Sequence, residues 1–176
     1  LLLGSVSQKV VNEAPCSVRI GRGRKREADA PLRIMIGVDG SPGSEAALKA
    51  VAAREWPGGT EVRVVAVPDL LMVTLIEWVE EGDEDDAAWV RRMVDASVEK
   101  LRAAGLDVSS EIRNGDAKRV LISEAEKWGA DTVFVGARGL RRIKRFLLGS
   151  VSAAVAARAH CSVEVVRTKK ISAAIK

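Results

Sequence analysis

The residues with the clearest capacity for chemistry are glycines. Gly136 and Gly139 are separated by two residues, and nine more lie between Gly139 and the pair Gly149-Ser150. Glycine permits positive φ and close backbone approach, and a helix opening at Ser150 adds unpaired N–H groups and the positive end of a dipole. Such a segment could cradle phosphate. The same spacing also fits a plainer reading, a tight exit from a strand followed by a break before a helix. Asp39, in Val38-Asp39-Gly40-Ser41-Pro42, is the second candidate. Its carboxylate could meet ribose hydroxyls or a metal ion, or cap a helix. Ser41 is better placed as the cap, with Pro42 in the first helical position, which leaves Asp39 free for a ligand.

Other chemistry is excluded by inventory. Two cysteines, Cys16 and Cys161, and the single histidine, His160, cannot make a zinc cluster, and no Gly-Lys-Ser/Thr phosphate loop occurs. No positioned general base or nucleophile stands out, so the catalytic set is empty. The net charge of +4 is unevenly spread: Arg19 to Arg26 and Arg138 to Arg145 are basic, while Glu77 to Asp86 is acidic. Opposed runs argue against a nucleic-acid partner. Arg138, Arg141, Arg142, Lys144 and Arg145 could draw in phosphate or form a solvated loop face. The tryptophans Trp56, Trp78, Trp89 and Trp128 are scattered and expected to pack. Leu1-Leu2-Leu3 lacks a basic flank, and no apolar run approaches the ~20 residues that span a bilayer, so a soluble cytoplasmic protein without membrane partners is expected.

The elements that must position these residues alternate. Strands are expected at Arg33 to Val38, Glu61 to Val67, Val108 to Arg113, Thr132 to Val135 and Ser162 to Val166, and helices at Pro42 to about Arg54, around Val90 to Leu101, over Leu121, Ala125 and Trp128, and at Leu147 to Arg158. Strands joined by helical crossovers imply right-handed βαβ units in a doubly wound α/β sheet. Ligands in such sheets sit beyond the carboxyl ends of the strands, which here means Asp39, Val67, Asn114 to Asp116, and Gly136 onward.

The chain also repeats itself. Leu2-Leu3-Gly4-Ser5-Val6-Ser7 recurs as Leu147-Leu148-Gly149-Ser150-Val151-Ser152, and Ala14-Pro15-Cys16-Ser17-Val18 as Ala159-His160-Cys161-Ser162-Val163, at a constant offset of 145. Residues 1–21 therefore read as the last helix and strand of a preceding, truncated copy, 22–32 as a linker, 33–168 as a complete domain and 169–176 as a tail. His160 replaces Pro15 and is assigned no role. Both cysteines precede the same strand and are expected to be buried small hydrophobes.

On the glycine motif, on Ile36-Gly37-Val38-Asp39-Gly40-Ser41 and on the ending Gly149-Ser150-Val151-Ser152 with Cys161-Ser162-Val163, the sequence resembles the universal stress proteins over nearly its whole length. The resemblance implies a five-stranded, Rossmann-like parallel sheet of order 3-2-1-4-5 that binds ATP with Mg. It implies Asp39 near ribose and metal, Val67 against adenine, and Gly136, Gly139, Gly149, Ser150 and Val151 about the phosphates. It also implies a homodimer through the last strand, with the front segment paired there within the chain or exchanged between chains. The leading reading is a nucleotide-binding module for stress response or signalling. The alternatives are a slow Mg-dependent ATPase and a structural interaction domain without nucleotide. Gly4-Ser5 lacks the two preceding glycines, so the front copy is expected to hold no nucleotide site.

Overall fold

The computed structural model describes residues 3–23, 30–68, 86–140 and 148–168. Its elements in chain order are α1 (Ser5–Glu13), β1 (Val18–Ile20), β2 (Arg33–Val38), α2 (Pro42–Ala52), β3 (Glu61–Ala66), α3 (Asp86–Arg102), β4 (Asp107–Ile112), α4 (Ala117–Trp128), β5 (Thr132–Gly136), α5 (Ser150–Arg158) and β6 (Ser162–Val166). One sheet runs β1-β6-β5-β2-β3-β4. Its last five strands are parallel and reproduce the expected 3-2-1-4-5 order. The sixth, β1, is antiparallel to β6.

Both faces of the central sheet are covered, which is why β2, β5 and β6 are buried almost throughout, whereas the edge strand β4 buries only Val108. Ile34, Ile36, Val62, Val64 and Phe134 face α2 and α3, where Leu48, Val51, Val94 and Leu101 meet them. Met35, Val65, Val133, Val135, Val163 and Val165 point the other way, under Leu121, Ala125, Val155 and Ala156 of α4 and α5. Single helix residues close the ends. Ser41 Oγ accepts from Ser44 N at 3.2 Å with Pro42 following, and Asp116 accepts from Lys118 N at 2.8 Å to open α4. Gly129 ends α4 in the left-handed conformation.

The tryptophans pack, as expected, where they are described. Trp56 sets its edge against Phe134 with 6.1 Å between ring centroids, and Trp128 lies under the Arg63 guanidinium at 4.5 Å. Trp78 lies outside the described residues. No helix among the described residues is long and apolar enough to cross a membrane.

The front segment bears on three expectations, two of which need correction. Its strand β1 lies on the β6 edge of the same chain, the within-chain alternative of the expected pairing. Arg22, assigned to the linker by composition, is anchored: its guanidinium donates to Ala156 O at 2.6 Å and its N–H to Ser162 Oγ at 3.1 Å. Cys161 is buried under α5, but Cys16 is exposed. The difference follows from cover: Cys161 belongs to an apolar cluster with Val155 and Ala156, whereas α1 buries only Val11 and leaves Val6 and Val10 exposed.

Candidate functional site

The order of strands reverses between β2 and β5, so the chain leaving β2 and the chain leaving β5 diverge and open a crevice at their carboxyl ends. One contact shapes the first exit and two tie it to the second. Asp39 Oδ1 accepts from its neighbour Ser41 N at 3.0 Å, Asp39 Oδ2 accepts from Leu140 N at 3.3 Å, and Ser41 Oγ donates to Arg138 O at 3.3 Å. Asp39 is thus not the free carboxylate expected from sequence. It organises both loops through backbone donors, and a further ligand would use its remaining lone pairs.

That role gives a prediction. An Asn at position 39 offers one carbonyl oxygen in place of two carboxylate oxygens, so one of the two backbone donors loses its acceptor. Hydrogen bonds to charged groups contribute roughly 1.5–3 kcal/mol. Asp39→Asn should therefore lower the stability of the ligand-free protein by about that amount in urea unfolding, before any nucleotide is added.

The motif glycines have different reasons to lack a side chain. A Cβ on Gly136 would overlap the backbone of Gly43, and one on Gly43 would overlap the carbonyl of Arg138. Here α2 is pressed onto the end of β5 with no room for either methyl. A Cβ on Gly139 would come within 2.5 Å of Asp39 Oδ2. Gly149 differs: the nearest atom to its Cβ would be Ala137 O at 3.4 Å, an ordinary contact, and its φ of −62° suits any residue. The protein itself does not require glycine at position 149.

Gly149 is also the N-cap of α5, and no side chain caps that helix. Its first turn is held against β5 by Gly149 N donating to Ala137 O at 2.8 Å and Ser152 Oγ donating to Gly136 O at 2.5 Å. The result is an uncapped, positively polarised helix end fixed at the mouth of the crevice.

A cavity of about 630 Å³ fills this crevice, a size usual for small-molecule sites. Asp39, Val67, Gly136, Gly139, Gly149, Ser150 and Val151 all line it. So do Asn114, Gly115 and Asp116 after β4, and Arg138 from the basic run; Arg141, Arg142, Lys144 and Arg145 lie outside the described residues. His160 is remote from it, exposed and 4.0 Å from Glu126.

Sequence reasoning missed Gly43, Lys118, Trp89 and Met93. Gly43 had a readable signal, since a glycine inside a first helical turn costs up to about 1 kcal/mol relative to alanine and calls for a packing reason. Trp89 and Met93 look like helix-core positions, yet they line the cavity. They also roof Gly40, whose Cβ would sit 3.1 Å and 3.3 Å from them. No group of three or more metal-ligating side chains occurs among the described residues.

Comparison with known proteins agrees with this architecture. The model of the universal stress protein family matches residues 32–167. A universal stress protein of Mycobacterium tuberculosis is 31% identical over 141 residues, 77% of this chain and 48% of that protein. A Staphylococcus aureus relative is 28% identical over 143 residues, 80% of this chain and 86% of that protein. The chain thus spans about half the length of the first of these relatives. Among solved structures, that of protein MJ0577 superposes with a TM-score of 0.68 at 27% identity, covering 78% of this chain and 96% of the other. A universal stress protein solved in complex with cAMP gives a TM-score of 0.57 at 25% identity over 79% of this chain and 98% of the other. An Arabidopsis thaliana family protein with AMP bound shares the fold at 19% identity and a TM-score of 0.59, over 78% of this chain and 92% of the other. From its glycine motif, its strand order and these matches, the chain belongs to the universal stress protein family.

Proposed function

We propose that the cavity binds an adenine nucleotide, ATP with Mg²⁺, and that the domain is a nucleotide-binding module for stress response or signalling. The observation that carries this is Gly149. It is the motif glycine whose missing side chain the protein does not need, and it stands at an uncapped helix N-terminus on the wall of a nucleotide-sized cavity. Phosphate at that point would meet the first N–H groups of α5 at Ser150 and Val151, with Arg138 on the same wall. Val67 and its neighbours give the cavity an apolar side suited to a base. The AMP and cAMP bound by family structures support the choice of an adenine nucleotide.

The carboxylates suit Mg²⁺ carried in by phosphate rather than a resident metal. Asp39 could supply one oxygen, and Mg²⁺ ordinarily takes one or two carboxylates besides phosphates and water. When bound, the ion would neutralise phosphate charge. The described carboxylates of the cavity, Asp39 and Asp116, already accept backbone N–H groups, which favours holding a nucleotide over hydrolysing it.

The test is the rise in melting temperature with ATP and Mg²⁺, read beside AMP and cAMP, together with mass analysis of nucleotide released by acid from fresh protein. At a hundredfold excess over Kd the rise should correspond to about 2.7 kcal/mol. No rise with any adenine nucleotide would overturn the reading, and recovery of only ADP or AMP would point to the slow ATPase instead.

A further inference from the structure

The pairing of β1 with β6 follows a pseudo-two-fold rule. Val18 faces Val165 and Ile20 faces Val163, while by the offset of 145 Val18 corresponds to Val163 and Ile20 to Val165. Val18 and Ile20 thus each face the counterpart of the other, and the pair on the axis is Arg19 with Glu164, which are counterparts of each other. The flanking contacts obey the same symmetry. Arg167 Nη2 donates to Val11 O and Asn12 O at 2.9 Å, and Arg22 Nη2 donates to the equivalent Ala156 O and Ala157 O at 2.6 and 3.4 Å. Arg167 N donates to Ser17 Oγ at 3.0 Å, and Arg22 N to the equivalent Ser162 Oγ at 3.1 Å. Each strand's trailing arginine caps the other unit's helix.

Every one of these symmetric contacts would be available equally to two copies of the chain joined β6 to β6. The residues on the axis are the exception. In the observed pairing they are an arginine and a glutamate, but a β6–β6 pairing in this register would set Glu164 beside the partner copy's Glu164. Residues directly opposite in an antiparallel pair have Cβ atoms about 4.5–5.5 Å apart, and like charges there are destabilising. Glu164 is buried and its carboxylate is engaged by both Arg54 Nη atoms of its own domain, so a second copy would bring its own Arg54 but no cation across the axis. Arg19, exposed on the same sheet face, reaches inward to Thr132 Oγ1 at 3.4 Å.

We infer that the Arg19–Glu164 pair determines the specificity of the β6 edge: it admits an Arg19-bearing α1–β1 unit and rejects a second β6. The partner this surface fits is that unit, from the same chain or exchanged from another copy. The expected homodimer through two final strands is disfavoured by charge.

Full-length Arg19→Gln, Arg19→Glu and Arg19→Glu/Glu164→Gln test it, with amide hydrogen exchange in β1 and light scattering as readouts. Protection of β1 should fall about twofold in Arg19→Gln and fivefold or more in Arg19→Glu, and Glu164→Gln should bring the latter back towards the Gln level. That rescue is the signature, because a role confined to the Thr132 bond gives none. Arg19→Glu should not gain a β6–β6 dimer, since the Glu164 pair still opposes it. If the double variant does not fold, salt decides: the gap between Arg19→Gln and Arg19→Glu should close as ionic strength rises to about 0.5 M. Equal loss in Arg19→Gln and Arg19→Glu, absence of rescue, a gap indifferent to salt, or β6–β6 dimers with Glu164 intact would each overturn the inference.

Discussion

Gly149→Val should abolish the thermal stabilisation by ATP and Mg²⁺ while leaving the ligand-free protein folded. The Cβ itself meets nothing closer than Ala137 O at 3.4 Å, and the backbone at position 149 is in an ordinary extended conformation. Replacing Gly by Val at an N-cap costs on the order of 1 kcal/mol, which in a chain of this size lowers Tm by about 2–4 °C. The two γ-methyls would stand where phosphate would approach α5, so affinity should fall at least about a hundredfold and the expected rise of roughly 5–10 °C should vanish. Gly149→Ala should lie between the two. Differential scanning calorimetry with and without nucleotide measures both effects in one experiment. A Gly149→Val protein that is still stabilised by ATP like the parent would remove the phosphate site from this helix.

Gly136→Ala should do the reverse and damage the fold first. Its methyl would have to share space with the backbone of Gly43, and backbone cannot rotate aside as a side chain can. Either α2 lifts from β5 or the exit of β5 shifts, and both move the Asp39–Leu140 and Ser41–Arg138 bonds. Overpacking of this kind costs about 1–3 kcal/mol, occasionally more, and the lost loop bonds add to it. A fall in Tm of about 10 °C or more, seen without any ligand, is the expected result. An unchanged Tm would show that the two glycine backbones are not in contact. The contrast between positions 136 and 149 would separate close packing at the first glycine of the motif from the ligand approach proposed for its last.

The alternation of strands and helices was legible because burial on both faces of the sheet leaves unbroken runs such as Arg33–Val38, and because Ser41-Pro42 and Gly129 mark helix ends by local chemistry. The position of the cavity, at the carboxyl ends of the strands, followed from the strand order. The occupation of Asp39 by Leu140 N was not legible, since its partner is a backbone group 101 residues away that any residue type would supply. The contact of Gly43 with Gly136 was hidden for the same reason, although a glycine in a first helical turn hinted at it. Cys16 looked like Cys161 because the two share a local sequence, and exposure depends on what lies above them. Arg22 looked like one more charge in a basic run, and its helix-capping role exists only once β1 is in place.

The pairing of β1 with β6 is only three residues long, yet it has the advantage of a tether. Twelve residues, Gly21 to Leu32, connect it to β2, and a short connection holds its ends at an effective concentration in the millimolar range. At about 1 mM, a strand association with a dissociation constant of about 10 µM would stay closed about 99% of the time in a single molecule. Two separate molecules would need millimolar protein to match it. Below that concentration the closed single chain outcompetes exchange between copies, so dilution leaves the arrangement intact and crowding to high local density is the condition that would trade it for a swapped pair.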